Sequence, residues 1–139
     1  MQTKIRYDAD SMKTMTVFSS VTGVHAKDIM KTDKLVTFVV DPGTLGRVLG
    51  KNAVNIRRLE GLLNRKIKIV EFNPSVDKFV ANLILPMRAK QIVHENNCVI
   101  ITGPDTQTKA KLIGRESSNL KQIKETVNRY FQIEDIKVV

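Results

Sequence analysis

Two short stretches of the sequence combine a glycine, a basic residue and a small residue in an order that suits phosphate binding. The stretches are Gly50-Lys51-Asn52-Ala53 and Gly114-Arg115-Glu116-Ser117. In each, the glycine ends one predicted helix and lets another backbone approach closely, and the next helix begins with unpaired amides and a positive dipole end. Lys51 or Arg115 adds a full positive charge at the same place. We therefore predict that both turns bind the phosphates of a nucleic-acid backbone.

The two turns belong to an internal repeat in which Gly114 follows Gly50 by 64 positions. Residues 48–69 align with residues 112–133, and the identical pairs include Gly50 with Gly114, Asn55 with Asn119 and Asn64 with Asn128. A single glycine followed by a basic residue is often only the C-cap of a helix beside a solvated charge. Recurrence of the whole pattern favours the functional interpretation.

Further basic residues follow each turn on the next predicted helix. They lie off the apolar stripe of that helix, so they extend the positive surface beyond the turn. These residues are Arg57 and Arg58 in the first unit and Lys121 and Lys124 in the second. Taken singly, each fits a solvated helix face better than a contact, and they are secondary candidates.

The overall charge indicates a polyanionic partner. The 139 residues include 23 Lys and Arg against 14 Asp and Glu, which leaves a net charge of +9 at pH 7. A hydrophobic fraction of 42% and a charged fraction of 27% are typical of a folded globular protein, which argues against a disordered polyelectrolyte. Net charge informs on association rather than on fold, and nucleic acid is the leading candidate for the partner.

The aromatic residues restrict how a nucleic acid would be bound. Trp is absent, and the two Tyr and five Phe stand mostly at positions that we expect to be buried. Domains that stack successive bases need exposed rings on a sheet or in a groove. We therefore expect backbone contacts and shape recognition rather than base stacking.

No arrangement of catalytic or metal-binding residues is recognisable in the sequence. The single cysteine, Cys98, and two distant histidines, His25 and His94, provide neither a disulfide nor a zinc-binding cluster. The stretch from Gly46 to Asn52 differs from a nucleotide-binding P-loop, because it has three residues between its glycines and no Ser or Thr after the lysine. We expect no enzymatic activity, no cofactor and no metal. Because the sequence shows neither a signal peptide nor a membrane span, we expect a cytoplasmic protein without membrane contact.

Hydrophobic periodicity predicts the same element order, α-β-β-α-α-β, in both units. The first unit is predicted to have a helix capped by Asp8 or Asp10 and ended by Gly23, strands over 27–31 and 35–40, helices over 44–49 and 54–64, and a strand over 66–72. The second is predicted to have a helix from Ser75 to before Pro86, strands over 91–95 and 98–102, helices over 107–113 and 119–131, and a strand over 133–139. The predicted domains are residues 1–73 and 74–139.

This element order, with a basic loop of the Gly-x-x-Gly type between the second and third helices, resembles the type II KH fold. More narrowly, two stretches are similar to the compact archaeal NusA-like proteins: FVVDPGTLGRVLGKNAVNIRRLE at 38–60 and LIGRESSNLK at 112–121. The resemblance covers nearly the whole chain. It implies an α+β protein of two tandem type II KH domains, each with a three-stranded sheet packed against helices.

The resemblance also implies a function, that of a single-stranded RNA-binding transcription factor acting in elongation and in termination or antitermination. The KH loop clamps about four nucleotides of RNA backbone. The loop residues of the family carry over to Gly50, Lys51, Asn52 and Ala53 and to Gly114, Arg115, Glu116 and Ser117. The implied partner is the nascent transcript.

RNA polymerase is a second partner that the resemblance suggests. Bacterial NusA carries a separate polymerase-binding domain and an oligonucleotide-binding barrel, for which 139 residues leave no room. Polymerase contact therefore does not follow from the resemblance alone. A different function stays open beside RNA binding: a protein-interaction module of the transcription apparatus with weakened KH loops.

The chain departs from the family pattern at the second glycine of each loop, where it has Ala53 and Ser117. A positive φ at either residue would strain the backbone. A negative φ would cost little and would let the Ser117 hydroxyl cap the next helix or contact phosphate. Because Glu116 adds a negative charge beside Arg115, we expect the second loop to bind more weakly.

Overall fold

The computed structural model describes residues 8–139, which form two compact units, 8–72 and 73–139. Each unit has the order α-β-β-α-α-β and a three-stranded sheet with helices, so the predicted α+β class and element order are confirmed. The predicted first domain also includes residues 1–7, with Tyr7, and these lie outside the described residues.

The first unit begins with helix α1 (Ala9–Thr22). Two strands follow, β1 (Asp28–Lys31) and β2 (Leu35–Val40), then the short helix α2 (Leu45–Leu49), helix α3 (Val54–Leu63) and strand β3 (Lys66–Glu71). Of the two predicted caps of α1, Asp8 is the one used, because its carboxylate accepts a hydrogen bond from the Ser11 amide at 2.7 Å. That bond lowers the pKa of Asp8. Asp10 lies inside the helix and pairs with Lys31.

The first sheet has the order β1-β2-β3. Strand β2 pairs antiparallel with β1 and parallel with β3, so it is the central strand. All residues of β2 from Val36 to Val40 are buried, which agrees with its unbroken run of apolar and β-branched residues from Leu35 to Val40. The core centres on Phe38, whose ring stacks on Phe18 of α1 with centroids 4.3 Å apart. Val48 of α2 and Leu59 of α3 complete it, so both helices that flank the first loop are anchored to the sheet.

The second unit repeats this arrangement. Its elements are α4 (Val76–Ile84), β4 (Gln91–Glu95), β5 (Cys98–Thr102), α5 (Thr106–Ile113), α6 (Ser118–Asn128) and β6 (Asp135–Val138). The sheet order is β4-β5-β6, with an antiparallel and then a parallel pair. Phe79 of α4 lies in its core, 5.7 Å from Tyr130 and 5.9 Å from Phe131 between ring centroids.

Three details of the second unit differ from the sequence prediction, and the first is that β6 begins at Asp135 rather than at residue 133. The Ser75 hydroxyl makes no capping bond to the α4 backbone and instead contacts the Asp77 carboxylate, which lowers the pKa of Asp77. Helix α6 ends at Asn128 rather than at residue 131. The reason is that Tyr130 and Phe131 turn toward Phe79 in the core, while the Asn128 side chain accepts a hydrogen bond from the Ile133 amide at 3.2 Å.

Candidate nucleic-acid interface

The predicted loops connect α2 to α3 and α5 to α6, and each starts from a glycine at the end of a helix. The Gly50 amide donates to the Gly46 carbonyl at 3.0 Å, and the Gly114 amide donates to the Ala110 carbonyl at 2.9 Å. Gly50 has φ 72° and ψ −177°, and Gly114 has φ 75° and ψ 173°. This region of backbone space is open essentially only to glycine. The two turns therefore have one conformation, which the two glycines make possible.

Space also requires glycine at both positions. A Cβ atom on Gly50 would lie 2.9 Å from Nδ2 of Asn55, and one on Gly114 would lie 2.8 Å from the backbone nitrogen of Asn119. Both distances are shorter than real Cβ contacts. The start of the following helix thus packs directly against the glycine.

The two residues that end each loop have left-handed backbone conformations. The φ angles are 55° at Asn52, 56° at Ala53, 54° at Glu116 and 61° at Ser117. The alternative with negative φ at Ala53 and Ser117 is therefore wrong. For a residue with a Cβ atom, this conformation costs about 1–2 kcal/mol. The Ser117 hydroxyl also makes no capping hydrogen bond to α6.

Some of the amides that we expected to be unpaired are used within the turn. The Ala53 amide donates to the Gly50 carbonyl at 3.3 Å, and the Val54 amide donates to the Lys51 carbonyl. In the second loop the Ser117 amide donates to the Gly114 carbonyl at 3.2 Å. The positive end of the following helix therefore offers a ligand fewer donors than the sequence predicted.

The basic side chains of both loops are exposed. Lys51 and Arg115 form no ion pair and no side-chain hydrogen bond with any residue within 8–139. Their neighbours Asn52 and Glu116 are also exposed, and no ion pair joins Glu116 to Arg115 in the described part of the chain. The first loop thus presents one cation beside a neutral amide, and the second presents a cation beside an anion.

The secondary candidates behave differently from one another. The Arg57 guanidinium donates to the Asn52 carbonyl at 2.8 Å, so the structure brings Arg57 to the first loop. Arg58 and Lys121 are exposed on α3 and α6, and neither forms a hydrogen bond to a loop within the described residues. Lys121, which aligns with Arg57, therefore does not brace the second loop in that way.

Lys124 is held away from the second loop by an ion pair. Its ammonium lies 2.8 Å from the Asp135 carboxylate at the start of β6, and this hydrogen bond lowers the pKa of Asp135. Lys124, Lys121 and Arg129 line one shallow groove along α6 together with Glu125 and Asn128.

Asn55 and Asn119 are the residues that sequence reasoning missed. The Asn55 carboxamide donates to the carbonyls of Arg47 and Val48 at 3.3 and 3.1 Å. Asn119 donates in the same way to Lys111 and Leu112, at 3.3 and 2.8 Å. The signal was present in the sequence, because the two asparagines are identical at aligned positions of the repeat.

The remaining reactive side chains are dispersed. His25 and His94 are exposed in different units, and Cys98 is a half-buried free thiol in β5. Within residues 8–139 no three His, Cys, Asp or Glu side chains are grouped so that they could hold a metal ion. None of the helices described for this chain is long and apolar enough to cross a membrane.

Archaeal proteins named "Probable transcription termination protein NusA" resemble the chain over nearly its whole length. The protein of Halobacterium salinarum is 28% identical over 96% of this chain and 98% of its own. The protein of Thermoplasma acidophilum is 25% identical, and the match covers 97% of this chain and 96% of that protein. The protein of Methanococcus vannielii is 22% identical, and the match covers 98% of this chain and 80% of that protein. The resemblance predicted from the two sequence stretches is therefore confirmed.

A solved structure supports the fold. The crystal structure of APE1850 superposes with a TM-score of 0.72 and 23% identity, and the match covers 96% of this chain and 100% of that one. No family model matches the sequence.

Proposed function

Starting from this relation to the archaeal NusA-like proteins, we propose that the chain is a cytoplasmic, single-stranded RNA-binding factor of transcription elongation and termination. Each unit is a type II KH domain in this proposal, with the loop between its second and third helices as the RNA-binding loop. The proposal assigns the chain no catalysis, cofactor or metal. Its partners are the nascent transcript and, through a surface not yet assigned, RNA polymerase.

One observation carries the proposal: the same exposed basic turn occurs twice, with matching backbone angles. Gly50 and Gly114 share a conformation that only glycine readily adopts, and an exposed cation, Lys51 or Arg115, follows each. A solvated helix end needs neither this backbone nor its repetition. Close approach to the glycine together with a full positive charge suits an RNA phosphate.

The buried aromatic rings support backbone recognition rather than stacking. Phe18, Phe38 and Phe79 are fully buried, and Tyr130 is 9% exposed. Phe72 and Phe131 are half-buried, and Lys27 covers the Phe72 ring at 4.7 Å from the centroid. Affinity should therefore come from phosphate contacts, which release counterions and make binding fall with salt.

The test is a double charge reversal, Lys51→Glu with Arg115→Glu, assayed by fluorescence anisotropy with a labelled random-sequence single-stranded RNA. We expect affinity to fall by at least about tenfold, and the slope of log K against log salt to become shallower by about 0.7 for each phosphate that the variant no longer neutralises. The control is Lys13→Glu with Lys90→Glu, which makes the same change in net charge at exposed positions outside the loops. Equal RNA affinity of the two double variants would contradict the proposal.

The alternative function, a protein-interaction module, is favoured by Glu116 and by the two left-handed residues that are not glycine, Ala53 and Ser117. Both features weaken an RNA-binding loop. Association with RNA polymerase that survives RNase treatment and the double reversal at Lys51 and Arg115 would support this alternative.

A further inference from the structure

The carboxamides of Asn55 and Asn119 make the same pair of bonds in the two units. Each stands in the first turn of the helix after the loop and donates to two successive carbonyls at the end of the helix before it. The last carbonyls of a helix have no partner within that helix. The asparagine therefore supplies the missing donors of α2 or α5.

These bonds fix both ends of the loop against each other. Asn55 belongs to α3, and the carbonyls of Arg47 and Val48 belong to α2, so the contact bridges the whole turn from Gly50 to Ala53. The Asn55 amide also fills the space beside Gly50 where a side chain would otherwise lie. The direction in which Lys51 projects is thereby tied to α3.

Few other side chains could donate hydrogen bonds to both of these carbonyls. A primary amide has two N–H donors on one atom, whereas aspartate has none and serine has one. Asn55 is 9% exposed, so water compensates poorly for carbonyls that lose this partner. Asn55 is buried beneath the turn while Lys51 is exposed, which separates the residue that shapes the loop from the residue that meets a ligand.

We propose that Asn55 and Asn119 are positioning residues for RNA binding: each holds the glycine turn of its own unit so that the cation of that turn, Lys51 or Arg115, projects toward an RNA phosphate, and neither asparagine touches RNA itself. This inference rests on the proposed function. It predicts that the effect of Asn55 on RNA affinity depends on Lys51.

The test is a double-mutant cycle of Asn55→Ala and Lys51→Ala, with affinities for random-sequence single-stranded RNA measured by anisotropy. We expect Asn55→Ala to weaken binding about fivefold in the otherwise unchanged chain and less than twofold when Lys51 is already alanine, since coupled residues are not additive. The parallel cycle of Asn119→Ala with Arg115→Ala tests the second unit, and Asn55→Ser is the milder variant if Asn55→Ala does not fold.

Asn64→Ala is the matched control. Asn64 is an exposed residue of the same unit with φ 54° at the end of α3, so alanine there strains the backbone without touching the loop. We expect it to lower the thermal stability and to leave RNA affinity unchanged, which separates loss of stability from loss of positioning.

The outcomes distinguish this inference from the proposed function. An unmodified chain without salt-dependent RNA affinity would overturn the proposed function and the positioning role with it. Two results would overturn the positioning role alone, provided that the unmodified chain binds RNA. One is that Asn55→Ala leaves RNA affinity unchanged, and the other is that it lowers RNA affinity equally whether residue 51 is lysine or alanine.

Discussion

The two loops have one backbone and two charge patterns. Their glycines differ by 3° in φ, from 72° at Gly50 to 75° at Gly114, and each is held by an asparagine of the next helix. The exposed loop positions differ in charge, because the first loop has Asn52 where the second has Glu116. Glycine and the asparagine beneath it therefore determine the shape of the loop, whereas the exposed residues determine its electrostatics.

The largest expected effect comes from removing a loop glycine. Gly50→Ala and Gly114→Ala each force a backbone that costs about 1–3 kcal/mol for other residues. We expect Gly114→Ala to be the more destabilising, because its Cβ would meet backbone at 2.8 Å, whereas that of Gly50→Ala meets a side-chain amide at 2.9 Å. Urea unfolding, followed by the NMR signals of backbone amides in each sheet, gives the free energy of unfolding of the two units separately.

Gly46→Ala is the control for both glycine variants. Gly46 lies inside α2, and an added Cβ would meet no atom within 4 Å apart from its chain neighbours and the backbone of its own helix, so alanine should stabilise this helix by about 0.5–1 kcal/mol. Equal destabilisation at Gly50 and Gly114 would show that the backbone angle alone matters and not the neighbouring atoms.

Exchanging the charge between the loops should give the next largest effect. We expect Asn52→Glu to weaken RNA binding and Glu116→Asn to strengthen it, each about fivefold at low salt. The reason is that a glutamate carboxylate about 4 Å from an RNA phosphate would repel it by roughly 1 kcal/mol in water. Anisotropy titrations at several salt concentrations measure this. Glu95→Gln, at an exposed position of β4, is the control for net charge. A gain of affinity with Glu95→Gln equal to that with Glu116→Asn would contradict a local effect.

A smaller difference is expected between Arg57 and its counterpart Lys121. Arg57→Ala removes the hydrogen bond to the Asn52 carbonyl as well as a charge, whereas Lys121→Ala removes a charge alone. We expect about threefold weaker RNA binding for Arg57→Ala and less than twofold for Lys121→Ala, because a net hydrogen bond contributes about 0.5–1.5 kcal/mol. If Arg57→Lys restores full affinity, charge and not the guanidinium bond accounts for the effect.

Restoring the second loop glycine should change stability only slightly. Ala53→Gly and Ser117→Gly relieve a left-handed residue, a gain of about 1–2 kcal/mol, but they also enlarge the entropy of the unfolded chain, which costs about 0.4–1 kcal/mol. We expect a net stabilisation of about 1 kcal/mol or less, alike in the two units because φ is 56° and 61°. Thermal unfolding measures it, and a clear loss of stability in either variant would contradict a left-handed Ala53 or Ser117.

The smallest effect is a pH dependence from the cap of α5, which the corresponding helix α2 of the first unit lacks. Asp105 accepts a hydrogen bond from the Thr108 amide at 2.6 Å, which lowers its pKa, whereas the cap of α2, Thr44, makes no such side-chain bond. Because the folded pKa lies below the unfolded one, this stabilisation is present above the ordinary value of 3.8 and is lost as pH falls through the lower folded pKa.

We therefore expect Asp105→Asn, which keeps an acceptor oxygen, to flatten the acid dependence of the unfolding temperature below about pH 4, where the unfolded carboxyl titrates. Asp105→Ala should lower stability at neutral pH as well. An unchanged acid dependence in Asp105→Asn would exclude this cap as its source.

Much of the fold was predictable because its signals are local. A cap of α1 at Asp8 or Asp10, the run of apolar and β-branched residues in β2 and the end of α1 at Gly23 each follow from neighbouring residues. The end of α6 was predicted wrongly, because Tyr130 and Phe131 leave the helix to reach Phe79, which is distant in sequence. The direct role of each candidate residue in RNA binding stays a prediction.

The sequence by itself determined the repeat, the element order and the position of both basic turns, since periodicity and glycine placement are properties of short segments. Only the tertiary structure decided the conformation of those turns. Ala53 and Ser117 are left-handed against their own preference, because in each unit an asparagine amide links the two flanking helices, and in the first unit both helices are also anchored to the core. Packing over a whole unit can impose a backbone of about 1–2 kcal/mol strain that no local pattern reveals.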